Sequence, residues 1–241
     1  MLQSLKSGKK DSFRKDFLDL HPMDQATFFI ELSEERRFTI YSFLTPCEFG
    51  EIFSELEPSM QKKCIIELDR PFAVEMLNEL PPDDATDFLG LLSYKEADFY
   101  LERMEKDEAD DIKQLLQYKK GSVGALMTTD VVIVAKDDLV IDVFERLKHS
   151  EVDAETFYYL YVTDTNKQLL GVVSLRELII SPPECRMHEI MNSGIISVSA
   201  HTNQSEVIQI IRKYGLLAVP VVTENIELLG IVTFDDVLTY L

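Results

Sequence analysis

Basic residues are scarce in this chain of 241 residues: 24 Lys and Arg stand against 43 Asp and Glu, a formal net charge of −19. Such a surplus of carboxylates repels phosphate backbones and anionic lipid, which counts against nucleic acid or a membrane surface as the main partner. Cations or a basic protein fit better. Cysteine is scarce too. Cys47, Cys64 and Cys185 are an odd number, lie far apart and form no CxxC or Cys/His pair at ligand spacing, so neither a disulfide framework nor structural zinc is expected. A reducing cytoplasm suits such a chain. No stretch approaches the roughly 18 consecutive apolar residues of a membrane span, and the basic opening MLQSLKSGKKDSFRKDF lacks the apolar run of a signal peptide. Catalytic patterns are missing as well. His21, His149, His188 and His201 are scattered, and there is no Gly-rich phosphate loop or Ser/His/Asp arrangement, so an enzyme is not expected.

What is present divides into two rhythms. With 46% hydrophobic residues the chain can bury a core, enough for one large domain or two ordinary ones. From about residue 11 to 118 apolar residues recur at three and four, as in Phe28, Phe29, Leu32 and in Phe49, Ile52, Phe53, Leu56, which predicts helices. Prolines step by 24 or 25 residues in two series, Pro22, Pro46, Pro71 and Pro58, Pro82, the period of a two-helix repeat. Thr45-Pro46-Cys47-Glu48 and Pro81-Pro82-Asp83-Asp84 read as helix starts. A superhelix of short helices is expected over residues 1–120.

After Lys120 β-branched runs take over: Val131 to Val134, Tyr159 to Val162, Gly171 to Val173, Ile195 to Val198, Val219 to Val222 and Gly230 to Val232. Helical stretches lie between them, at Leu139 to His149, Arg176 to Ile180, Gln204 to Tyr214 and Asp235 to Leu241. This half repeats itself. Leu126-Met127-Thr128 matches Ile190-Met191-Asn192, and Leu170-Gly171-Val172-Val173-Ser174-Leu175-Arg176-Glu177-Leu178 matches Leu229-Gly230-Ile231-Val232-Thr233-Phe234-Asp235-Asp236-Val237. The first copy carries about five extra residues around Val152 to Thr156. Two βαββα-type units are expected, at 121–185 and 186–241, in a two-domain α+β chain.

These residues resemble a tandem pair of CBS domains. The narrower string Asp153-Ala154-Glu155-Thr156-Phe157-Tyr158-Tyr159-Leu160-Tyr161-Val162, with Gly124 to Thr128 before it, Val172 to Leu178 after it, and Leu80-Pro81-Pro82-Asp83-Asp84 upstream, resembles the MgtE family of magnesium channels and transporters. The resemblance covers essentially the whole chain. It implies an acidic helical N domain ahead of the CBS pair, a homodimer formed through the CBS pairs, and a position on the cytoplasmic face of the cell membrane. It also implies a connecting helix and a membrane pore domain in the parent protein, for which this chain would be the regulatory, Mg2+-sensing portion.

Both halves are anionic. Up to Lys120 there are 16 basic and 26 acidic residues, and from Gly121 onward 8 and 17. Carboxylates facing each other at about 4 Å repel by roughly 4 kcal/mol at an effective dielectric of ~20, so close docking of such surfaces calls for a cation between them. Hydrated magnesium typically takes only one or two carboxylates. On the helical side Glu51, Asp83 and Asp87 are the candidates; Asp83 and Asp87 are four apart on one helix face, and all three fall where the resemblance places interdomain ligands. Read without it, the simpler account is favoured, in which Asp83 caps a helix and Glu51 is a solvated surface charge. On the CBS side Asp236 is a candidate and Asn203 replaces an acidic residue, while Thr239 and Gly215 stand where the family commonly has carboxylates. Fewer or weaker ions are implied.

CBS pairs also bind adenosine nucleotides between their copies. Ser174, Arg176 and Glu177 of the first copy, Thr233 and Asp236 of the second, and the adenine-facing Tyr159 and Pro220 mark such a site, with ATP or a related nucleotide as the ligand. Glu177 stands where Asp is usual. Arg176 either reaches phosphate or pairs with a nearby carboxylate. The runner-up function is therefore a stand-alone nucleotide-binding CBS regulator. A purely structural adaptor is a further alternative, one that predicts no response to divalent ions.

Overall fold

The computed structural model describes residues 1–149 and 158–238. Two compact units emerge, one made of Met1–Leu80 and Asp84–Ile112, the other of Lys113–Leu241 with Pro81–Asp83. The first contains α1 (Leu2–Lys6), α2 (Lys10–Leu18), α3 (Pro22–Ile30), α4 (Glu34–Phe43), α5 (Pro46–Ser54), α6 (Pro58–Glu67), α7 (Arg70–Asn78), α9 (Tyr94–Leu101) and most of α8 (Pro82–Leu89) and α10 (Lys106–Leu115). The proline series now has a physical meaning. Pro22, Pro46, Pro58, Pro71 and Pro82 each sit in a first helical turn, where a missing N–H costs nothing and a fixed φ favours the helix. Thr45 closes a capping box with Glu48, and the Asp69 carboxylate accepts from Phe72 N at 2.8 Å. Packed in succession, α3, α5 and α7 form a row.

An aromatic chain fills this unit. Phe13 stacks on Phe17 at 4.9 Å, Phe29 meets Phe49 at 5.4 Å, Tyr41 meets Phe49 edge-on at 5.0 Å and Phe53 meets Phe88 at 4.9 Å. Each fully buried ring contributes roughly 1.5–3 kcal/mol, so helices too short to be stable alone hold together through this core. Inside it Arg37 pairs with Glu67 through two nitrogens while donating to Leu32 O at 2.8 Å, and Tyr41 donates its hydroxyl to Glu67 at 2.8 Å. Burial works against the Glu67 carboxylate, but its bonds from Arg37 and Tyr41 hold it below the usual carboxylate range. Burial also pushes the neighbouring Cys64 thiol up to about 11, leaving it inert.

The second unit follows the expected βαββα order twice. The first copy has β1 (Ile133–Ala135), α11 (Val140–His149), β2 (Tyr159–Thr163), β3 (Leu169–Ser174) and α12 (Leu175–Ile180). A short α13 (Met187–Ile190) leads to the second copy: β4 (Val198–Ser199), α14 (Gln204–Tyr214), β5 (Ala218–Val222), β6 (Leu228–Thr233) and α15 (Phe234–Leu238). Each sheet has three strands, the first two parallel and the last two antiparallel. The insertion at Val152 to Thr156 and Thr239 lie outside the described residues. Gly215, noted for its missing carboxylate, ends α14 at φ +64, a left-handed cap that glycine adopts without strain.

The copies exchange their openings. Thr128 pairs with Ile231 of the second sheet through two backbone bonds of 2.9 and 3.0 Å, and Asn192 pairs with Val172 of the first through bonds of 2.9 and 3.0 Å. This joins the two halves of the repeated motif. A Cβ on Gly230 would lie 2.3 Å from Thr128 O, and one on Gly171 would lie 2.4 Å from the Met191 sulfur, so the motif glycine makes room for the other copy's opening. Val123, Leu126 and Met127 accordingly lie in the second copy's core, and Met187 in the first copy's. The cores are thus swapped relative to chain order, the residues ahead of each copy's first strand packing in the other copy's core.

Gly121 to Gly124, at the domain junction, is also held to the second copy. Val123 N donates to Thr202 O and Gly124 N to Ala200 O, both at 2.8 Å. The hairpin tips pair across the copies as well, Leu169 N to Ile226 O at 2.9 Å and Leu228 N to Lys167 O at 3.1 Å. There Ile226 has φ +63 and is 54% exposed, a strained backbone for a β-branched residue with little burial to offset it. Ile226→Asn is expected to raise the stability of this unit by about 1 kcal/mol, read as a higher urea midpoint; an unchanged or lower midpoint would refute the strain.

Candidate functional site

Between the two CBS-like copies lies a cavity of about 460 Å³ lined by Tyr158, Tyr159, Ser174, Leu175, Arg176, Ile179, Ile180 and Leu217. That volume suits a small organic ligand. Its construction follows from the fold. Tyr158 and Leu217 occupy the same position in the two copies, each just before a central strand, and each holds the start of the following helix by its carbonyl: Leu175 N donates to Tyr158 O at 3.0 Å and Phe234 N to Leu217 O at 2.8 Å. Ser174 ends β3 and caps α12. Its hydroxyl donates to the Glu177 carboxylate at 2.8 Å, that carboxylate also accepts from Ser174 N at 2.8 Å, and Glu177 N donates back to the hydroxyl at 3.1 Å.

Among the described residues Arg176 is the only cationic side chain of the lining. No hydrogen bond or ion pair to its guanidinium is seen among the described residues. Largely apolar walls with one guanidinium, the Ser174 hydroxyl and two tyrosines can take a flat apolar ring that carries an anionic group.

Of the expected nucleotide residues, the structure brings Tyr159, Ser174 and Arg176 to this cavity, with Glu177 attached through Ser174. Thr233 and Asp236 form the equivalent cap in the second copy, where Asp236 accepts from Thr233 N at 3.0 Å and from its hydroxyl at 2.5 Å. Pro220 is buried within β5 and does not line the cavity. Leu175 comes with them, while Tyr158, Ile179, Ile180 and Leu217 lie outside the expected set. Leu217 was detectable as the repeat-equivalent of Tyr158, but only the exchange of copies explains why both face one cavity.

The oxygen donors considered for magnesium are distributed. Glu51 is exposed on α5, Asp83 and Asp87 share α8 one turn apart, Asn203 caps α14 by accepting from Ser205 N at 2.9 Å, and Asp236 caps α15. Among the described residues no group of three or more His, Cys, Asp or Glu side chains converges as a metal cage. Hard oxygen donors taken one or two at a time still fit a hydrated magnesium ion, which keeps several of its waters.

Comparison with known proteins decides the family. Residues 20–121 match the MgtE intracellular N domain, and residues 123–183 and 187–241 each match the CBS domain. A solved structure of the soluble part of a magnesium transporter superposes with a TM-score of 0.95 at 37% identity, covering 99% of this chain and 94% of that one. The chain belongs to the MgtE family. Magnesium transporter MgtE of Enterococcus faecalis is 37% identical over 240 residues, covering 99% of the chain and 53% of that protein. For the MgtE transporter of Thermus thermophilus the figures are 35% over 244 residues, 99% and 54%. The chain spans about half the length of the curated MgtE relatives it matches. A cytosolic domain of the Mg2+ channel MgtE, solved in complex with ATP, matches with a TM-score of 0.92 at 32% identity and covers 100% of this chain and 98% of that one. No described helix is long and apolar enough to cross a membrane, and neither matched domain is a catalytic family.

Proposed function

We propose that the chain is the regulatory, Mg2+-sensing region of an MgtE magnesium transporter, positioned on the cytoplasmic face of the cell membrane and acting on a pore domain in the parent protein. The observation that carries this is the near-complete match to the soluble part of a magnesium transporter. In the mechanism, the anionic N domain docks on the anionic CBS pair when magnesium is plentiful and releases when it is scarce. Glu51, Asp83 and Asp87 supply carboxylates from one side, Asp236 and Asn203 oxygens from the other, and the ion offsets their repulsion. A millimolar site supplies only about 4 kcal/mol, so a sharp switch requires several ions that each favour the docked state. A homodimer through the CBS pairs belongs to the same proposal, and the exposure of Ile179, Ile180, Phe234 and Leu238 on α12 and α15 supports it. No catalytic step is needed.

Limited proteolysis tests the docking. Magnesium is expected to slow cleavage between Leu116 and Gly121, and Asp83→Asn with Asp87→Asn to abolish that protection while leaving the fold intact by circular dichroism. Equal cleavage with and without the ion would refute the proposal.

A second reading complements the first: the Arg176 cavity binds an adenine nucleotide, the base against Tyr159, Leu175 and Leu217 and the phosphates toward the guanidinium. A guanidinium in a largely apolar cavity favours it, as does the ATP complex of the related cytosolic domain.

A further inference from the structure

The acidity of the chain is not uniform. Within the first fifteen residues five of the 24 basic side chains, Lys6, Lys9, Lys10, Arg14 and Lys15, meet one acidic residue, Asp11. This segment lies ahead of the matched N domain, which begins at residue 20. The fold consumes two of the five. Arg14 grips Glu48 with both terminal nitrogens, at 2.5 and 2.6 Å, and donates to Phe43 O at 2.7 Å, while Lys10 reaches Ser42 O at 3.3 Å. These bonds fasten α2 to the end of α4 and the start of α5. The nearby acids are engaged too, Asp11 acting on Arg14 and Asp16 lying 3.9 Å from the Met1 amino group. Among the described residues no bond or ion pair engages the side chains of Lys6, Lys9 or Lys15, all exposed, and Leu2 beside them is 46% exposed.

We infer that this basic arm is a contact surface for an anionic bilayer. Lysines beside an exposed apolar side chain match the headgroup region of anionic lipid, and the strongly acidic remainder turns the molecule so that the arm faces a negative plane. The inference rests on the proposed membrane-side location, and it exempts this segment from the general repulsion of the chain by lipid.

Vesicle flotation tests it. The chain should float with vesicles of phosphatidylcholine containing phosphatidylglycerol at low salt and stay behind with phosphatidylcholine alone or at high salt. Each lysine near such a surface is worth about 1 kcal/mol, so Lys6→Gln, Lys9→Gln and Lys15→Gln together should weaken partitioning by about 100-fold. Lys62→Gln, Lys63→Gln and Lys95→Gln together, made at exposed positions elsewhere, should not. No binding to anionic vesicles, equal binding to neutral ones, or equal binding by the arm variant would overturn the inference. So would a salt-sensitive self-association lost in the arm variant, which would assign the arm to an acidic face of a second copy. Lipid binding that persists while magnesium protection fails would instead refute the sensor reading alone.

Discussion

Glu67→Ala is expected to lower the unfolding free energy of the helical unit by about 3–5 kcal/mol, because it strands a buried guanidinium without its carboxylate. Arg37 is 3% exposed and Glu67 7%, so water cannot replace the lost partner cheaply. The loss is a large share of the roughly 5–15 kcal/mol that holds a domain folded. Urea unfolding followed by circular dichroism measures it, and a change below about 1 kcal/mol would contradict a buried role. Arg37→Met combined with Glu67→Leu removes both charges and should recover most of the stability. Titration gives an independent check. The folded pKa of Glu67 is lowered, so the stability it contributes is present above its ordinary, unfolded value near 4.5, and is lost as pH falls through the lower folded value. Acid unfolding of the wild type should carry this component, and the Arg37→Met, Glu67→Leu protein should lack it.

Arg176→Ala is expected to weaken ATP binding by roughly 10- to 100-fold, the loss of a charge-assisted hydrogen bond to phosphate. Arg176→Glu should abolish it, since a carboxylate in that cavity repels the phosphates. Leu217→Asp, in the opposite wall, should also weaken binding, though Leu217 belongs to the other copy. Calorimetry with ATP, with and without magnesium, reads all three. Unchanged affinity in Arg176→Ala would remove the cavity as the nucleotide site, whereas a magnesium response that survives would leave the sensor reading standing.

Much of this was legible in the chain because the governing signals are local. Proline in the first helical turn and the three-and-four spacing of Phe49, Ile52 and Phe53 report helices directly, and the β-branched runs report strands. Gln204 to Tyr214 was placed to the residue, since Asn203 caps it and Gly215 ends it. Strand β4 shrank from an expected Ile195 to Val198 to Val198–Ser199, because only those residues pair with β5. Exchange was not legible. Thr128 and Asn192 were recognised as repeated openings, but nothing near them in sequence says that each pairs with the other copy's sheet. The site shows the same limit. Ser174, Glu177, Thr233, Asp236 and Asn203 were singled out as possible ligand contacts, and each has a helix-capping bond that accounts for its residue type without any ligand. Arg176 is different, because no described partner explains it. Tyr158 and Leu217, whose importance arises from distant pairing, gave no local sign.

The central claim is that magnesium draws two anionic units together. Small-angle X-ray scattering of the chain across a magnesium titration tests it most directly, with Glu51→Gln, Asp83→Asn and Asp87→Asn combined as the control. The account predicts a radius of gyration that falls cooperatively as magnesium enters the millimolar range, and a variant that stays expanded. A radius independent of magnesium, or an equal contraction in the variant, would contradict it.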